Sequence, residues 1–212
     1  MKNLKPFLFF SLILFSSICK AQNDDMTDTR RKTESYARFH YGTLRADLAT
    51  FTLAGTSESV GAPPLKKIDY SALNDSSITF QGDGIKAIVK IAPFNAAKNK
   101  LYYDGKYVIK IDRRTYYGDY GNVPNTYISD VSLIVNHDTV LIPKIVYSDL
   151  FNLHFTYSDK GVQRTRDAVY FSNDGHYIYL YLFCKNNSGS YEVTWIFQDN
   201  KYLRRVLDYG LF

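Results

Sequence analysis

Cysteine is nearly absent from this chain: two among 212 residues, Cys19 and Cys184. Glutamate is scarce too, with three residues against 18 aspartates, and there is a single tryptophan. The most apolar stretch, Pro6 to Ile18, has 13 residues, short of the roughly 20 that a helix needs to cross a bilayer. Each shortage excludes something. Two cysteines cannot build a disulfide scaffold. Few glutamates and many aspartates disfavour helix and favour turns. The four histidines, at 40, 137, 154 and 176, stand in no metal-ligand spacing, so neither a metal nor a cofactor is expected.

What is present begins with the first 21 residues. Lys2 and Lys5 precede the apolar run, and Cys19-Lys20-Ala21 follows with small residues at the −3 and −1 positions. Basic, then apolar, then small is the layout of a secretory signal peptide. Cleavage after Ala21 gives a mature chain beginning Gln22-Asn23-Asp24 and destined for the periplasm or the exterior. Lipidation at Cys19 would call for Gly, Ala or Ser before it, and Ile18 occupies that place, so simple cleavage is expected. Removing residues 1–21 takes away Lys2, Lys5 and Lys20 and lowers the formal charge from +5 to +2. The remaining basic pairs, Lys66-Lys67, Arg113-Arg114 and Arg204-Arg205 among them, read as scattered solvated faces. No nucleic acid partner is expected. Cleavage also leaves Cys184 alone, inside an apolar run, where a buried and inert thiol is expected.

With 19 Tyr and 14 Phe, composition points to an all-β chain. The last third predicts a four-stranded antiparallel meander: Val162–Phe171, Tyr177–Cys184, Tyr191–Gln198 and Tyr202–Tyr209, joined by turns too short for parallel crossovers. In the second strand Tyr177, Tyr179 and Tyr181 share one face, while Ile178, Leu180 and Leu182 share the other. In the third, Tyr191, Val193, Trp195 and Phe197 make the apolar face. Upstream, Ile85–Ile91 reads as a strand. Leu101–Tyr103 and Lys106–Ile111 read as a hairpin, with Asp104-Gly105 as its type I′ turn. Val131–Val135 and Thr139–Ile142 flank Asn136-His137-Asp138 as another. Ile145–Leu153 suggests one or two helical turns. Thr33–Leu53 carries loosely helical spacing, and Gly55–Pro64 reads as a linker. The organisation expected is a signal peptide over 1–21, an N-terminal segment over 22–64, and an antiparallel β domain over 65–212. That domain is a sandwich or partly closed barrel. The terminal Phe212 raises an outer-membrane barrel, but Gly210, Asp208, Val206 and Arg204 make no lipid-facing band.

Chemical signatures are few. Gly82-Asp83-Gly84 opens a strand and no helix, so it is not a dinucleotide fingerprint. The Asp-Gly turns lack the repeated aspartate spacing of a calcium loop. His154 with Asp149 could be drawn as a base and its orienting carboxylate, but no nucleophile accompanies them. The leading site is aromatic. Tyr177, Tyr179 and Tyr181 span about 13 Å of strand at roughly 3.3 Å per residue, and Tyr116, Tyr117 and Tyr120 on a glycine-containing loop could form a rim. Such rings suit stacking on sugars or a peptide. The plainer reading is cross-strand ladders or a second core layer.

The Ala21-Gln22 junction behind Ile-Cys-Lys, the ending Tyr191–Gly210, and the Tyr117–Phe151 region resemble uncharacterised exported proteins of Bacteroidetes-type bacteria. The resemblance implies location and no activity. The sequence thus points to an exported, non-catalytic binding module of the bacterial envelope, with a glycan or an envelope protein as partner. The alternative is a secreted hydrolase whose Asp/His site is assembled only by folding.

Overall fold

The computed structural model describes residues 42–55, 62–186 and 189–209. Among the described residues strands dominate, all strand-to-strand pairs are antiparallel, and no sheet closes into a barrel. The architecture is a β-sandwich. Its first sheet has the order β1–β11–β12–β13–β14, formed by Lys66–Ile68, Ala168–Phe171, Tyr177–Cys184, Tyr191–Gln198 and Lys201–Tyr209. The second has the order β2–β3–β4–β7–β8, formed by Tyr70–Asn74, Ser77–Gly82, Ile85–Pro93, Thr126–Val135 and Asp138–Val140. Two small hairpins stand apart: β5 with β6 (Leu101–Asp104, Tyr107–Ile111) and β9 with β10 (Tyr157–Asp159, Val162–Arg164). Among the described residues one α-helix, α1 (Gly42–Phe51), precedes the sheets.

Turn chemistry sets much of this pairing. Asp83-Gly84, Asn136-His137, Lys160-Gly161 and Asp199-Asn200 each join paired strands with both residues at positive φ. That is the type I′ requirement, and its twist matches the strands it joins. The hairpin at 101–111 differs from its expected form. Asp104 pairs with Tyr107, so the turn is Gly105-Lys106, and only Gly105 has positive φ. The Val162–Phe171 strand is also corrected. Residues 162–164 fold back on 157–159, and the meander begins at Ala168.

The core lies between the sheets. Ile85, Ala87 and Val89 point inward from β4 and are buried, while Lys86 and Lys90 point out. On β7 the inward residues are Ile128, then Val131, Leu133 and Val135. The break in period is a bulge: Lys90 pairs with Asp130 and Ile91 with Ile128, leaving Ser129 as the extra residue. From the first sheet, Leu180, Leu182, Val193, Trp195, Phe197 and Leu207 meet them.

The first sheet is covered on its other side as well. Leu44 and Leu48 of α1 pack with Tyr177, Tyr179, Ile196 and Val206. Every residue of β12 is therefore buried. The 42–51 part of the Thr33–Leu53 expectation is helical and belongs to the sandwich, while residues 33–41 lie outside the described residues, as do 1–32 and 56–61. The 145–153 stretch makes one 3₁₀ turn at Lys144–Val146 and then irregular backbone.

Candidate functional site

The aromatic stripe of β12 is not a solvent-facing platform. None of Tyr177, Tyr179 and Tyr181 exceeds 8% exposure, because α1 lies over them. Phe51 stacks on Tyr170 at 4.3 Å and meets Tyr179 and Tyr181 at 5.5 Å each. The polar tips of Tyr179 and Tyr181, which suggest ligand contacts in the sequence, are spent on carboxylates. The Tyr179 hydroxyl donates to Asp47 Oδ2 at 2.7 Å. The Tyr181 hydroxyl donates to Glu192 Oε2 at 2.7 Å, and the Leu53 N–H donates to the same oxygen. Burial raises the Asp47 carboxyl above its ordinary value, with the Tyr179 hydrogen bond pulling the other way. These tyrosines hold the helix.

The expected rim is corrected in the same sense. Tyr116 is the loop's own core. Its hydroxyl accepts from the Gly121 N–H at 2.9 Å and donates to the Asn122 carbonyl at 2.8 Å, and burial raises its pKa. Tyr117 is buried in the main core. The turn between them and Gly121 needs Gly118, at φ +99°: a Cβ there would sit 1.9 Å from the Phe151 carbonyl oxygen. Tyr120 alone is open, at 52% exposure, with its ring stacked 5.8 Å from that of Tyr116.

The structure does form a cleft, of about 430 Å³, where three loops meet. Pro93, Phe94 and Asn95 leave β4, and Asn95 caps the 3₁₀ turn that carries Lys98 by accepting from the Ala97 N–H. Asp112 and Arg113, both at positive φ, reverse the chain after β6 so that Ile111 and Arg114 pair. The third loop brings Lys144, Ser148, Asp149 and Phe151. Phe151 holds the ring wall, edge-on to Phe94 at 5.4 Å and to Tyr116 at 5.7 Å, and Tyr127 completes it.

The polar floor is fixed by one buried carboxylate. Asp149 takes Arg205 Nη1 and Nη2 at 2.7 and 3.1 Å, and Arg205 is fully buried. Arg205 Nη1 and Trp195 Nε1 both donate to the Val146 carbonyl, which ties this loop to the sandwich. Arg114, partly exposed, donates to Ser148 Oγ at 2.7 Å and to the Ile145 carbonyl, with its Nη2 3.9 Å from Asp149 Oδ2. One carboxylate thus lies between two guanidiniums. Asp112 is also occupied, accepting the Lys100 N–H at 2.7 Å.

Asp149 and His154 are not brought together. His154 lines a separate cleft of about 330 Å³ with Asp75 and Asn74, and no hydrogen bond or ion pair joins it to Asp149. His176 does face Asp199 at 3.2 Å, but both are well exposed on neighbouring hairpin ends. His137 sits in its turn, and His40 lies outside the described residues. Cys184 is buried, donating to the Asn152 carbonyl at 3.2 Å, and burial pushes its thiol up to about 12. Among the described residues no group of three His, Cys, Asp or Glu could hold a metal, and no helix is long and apolar enough to cross a membrane.

The cleft was missed in the sequence, yet one signal for it was there. Counting basic pairs hid the single lysines around Arg113-Arg114: with Lys98, Lys100, Lys106 and Lys110 that pair faces only Asp104 and Asp112 over residues 98–114. Fold and site together define a helix-covered antiparallel β-sandwich with a ring-walled, cation-rimmed cleft at one end of its core. The chain matches no family model, no curated protein and no solved structure.

Proposed function

We propose that this chain is an exported, non-catalytic binding module of the bacterial envelope, and that its ligand is a glycan held in the cleft of Phe94, Tyr127 and Arg114. The observation that carries this is the pairing of ring walls with fixed polar groups in about 430 Å³. Small-ligand sites run from roughly 300 to 1,000 Å³, apolar in the main with a few aimed polar groups. Half-buried Phe94 and Tyr127 offer ring faces for sugar C–H surfaces. Asn95, Asn99, Arg114 and Thr115 offer donors and acceptors for hydroxyls. A binding role fits the state of the carboxylates, since Asp149 is held by Arg205 and Asp112 by a backbone amide. Export rests on the basic, apolar and small-residue order of positions 2–21.

Glycan-array binding followed by calorimetry on residues 22–212 tests the site. The expected result is a glycan whose affinity drops at least about tenfold in Phe94→Ala and in Tyr127→Ala, with melting curves showing that both variants fold. Binding to no glycan, or binding that both variants keep, overturns the site. Release of reducing ends from the bound glycan replaces binding by hydrolysis. Fractionation of cells carrying the full chain tests export, and an uncleaved precursor in the cytosol overturns it.

A further inference from the structure

We infer that the glycan is anionic, its acidic groups being received by Lys98, Lys144 and Arg114 and by the basic hairpin that rises from the cleft. This rests on the glycan reading above and names the ligand's charge. Residues 98–114 hold six cations and two carboxylates, a formal +4, whereas residues 22–212 as a whole carry +2. The rest of that chain is net −2 by formal count, with Asp47, Asp149, Asp167, Glu192 and Asp208 buried, so this one segment concentrates the positive charge.

The segment is also placed to act. Lys98, Arg114 and Lys144 line the cleft itself. Lys98 and Lys144 have no ion-pair partner among the described residues, and Arg114 shares the single charge of Asp149 with buried Arg205. The floor therefore retains positive charge with little competition from within. Beyond the cleft, rings and cations interleave along the hairpin. Lys100 lies 5.3 Å over Tyr102, whose hydroxyl accepts from Arg113 Nε, and Lys106 lies 5.3 Å over Tyr107. Tyr103 and Tyr107 are 55% and 54% exposed. The five residues of β6 span about 13 Å at roughly 3.3 Å per residue, room for a chain of sugars to continue out of the cleft with acidic groups beside lysines.

Carboxylate, sulfate and phosphate substituents would all meet this surface by the same charge attraction. Nucleic acid fits it less well. A polymer with one charge per nucleotide would leave the hairpin and run over a surface with no comparable excess of cations, so the patch suits a short or sparsely charged chain.

The test is calorimetry on residues 22–212 with oligogalacturonate, chondroitin sulfate, a phosphorylated mannan, neutral cello- and manno-oligosaccharides, and oligo(dT). At least one acidic glycan is expected to bind about tenfold or more tighter than any neutral one. Its log affinity should fall with log salt at a slope near −2, on the order of two or three contacts on a single-stranded polyanion. The three acidic probes tell the substituents apart. The Lys98→Gln/Lys144→Gln double variant should drop to the neutral level with an unchanged melting curve, and Lys86→Gln, on the outer face of β4, should bind as the native chain does. Neutral glycans that bind as tightly, without salt dependence, overturn this inference and leave the glycan reading standing. Binding to no glycan overturns both. Preference for oligo(dT) overturns both in favour of nucleic acid.

Discussion

Asp167 is fully buried, and its two carboxyl oxygens are treated differently. Oδ1 accepts the Phe183 N–H at 2.8 Å, while Oδ2 has no hydrogen-bond partner among the described residues. Burial raises its pKa well above the ordinary 3.8, against the pull of that hydrogen bond. The folded chain therefore binds this proton more tightly than the unfolded chain does. Its contribution to stability is complete below pH 3.8 and drains away as pH rises towards the folded value, at no more than about 1.4 kcal/mol per pH unit. Asp167→Asn keeps the acceptor for Phe183 and has no proton to lose. Its stability relative to the native chain should thus climb from pH 4 to pH 7 in urea titrations, and a difference constant with pH would refute this assignment. At this scale the sequence was legible where chemistry is local. Cys184 reads as a buried thiol and is one, since its neighbours along β12 already say as much. Asp167 and Asp149 carry no such local signal, because what surrounds them comes from Phe183 and Arg205, far along the chain.

Helix α1 is held to β12 and β13 by apolar side chains and by the Asp47 carboxylate, which takes the Tyr179 hydroxyl, while the Leu53 N–H just past the helix donates to Glu192. Leu44 and Leu48 supply about 1.5–3 kcal/mol each by burial. Tyr179→Phe keeps the ring and removes the donor to Asp47, leaving a buried carboxylate short of a partner. That should cost about 1–3 kcal/mol at pH 7. The loss should shrink as pH falls through the raised Asp47 value, because a protonated carboxyl is less costly to bury without its donor. Urea midpoints at pH 7 and pH 4.5 measure it, and an equal loss at both would refute the account. The strands β4, β12, β13 and β14 were legible from alternation and turn residues, whereas β1, β2 and β3 were not read at all. The burial of the tyrosine face was not, because alternation shows that a face is aromatic and cannot show what covers it. Asp47 reaches Tyr179 across 132 residues of chain, and α1 has no sharply apolar stripe to announce a partner. The same reason hid the cleft, whose walls come from three loops with no period of their own.

Taken whole, the sandwich is held by packing and hydrogen bonds around one thiol in its interior. Cys184 is inaccessible, and burial lifts it out of the range in which it would ionise at neutral pH. In residues 22–212, reaction with a disulfide reagent should be negligible in buffer and should follow the unfolding curve in urea. Fast labelling in buffer would show that the core opens locally at this end. The two sheets also differ in how far the chain must travel to build them. β2–β3–β4 and β11–β12–β13–β14 join neighbours in sequence, whereas β1 meets β11 across more than a hundred residues. Tight reversals such as Asp83-Gly84 and Asp199-Asn200 can zip each meander early, while the β1 seam has a large loop entropy to overcome. Side chains on β12 and β13 should accordingly influence how fast the protein folds. Those on β1 should influence mainly how fast it comes apart, a division that φ-value analysis of Val193→Ala and Ile68→Val would display.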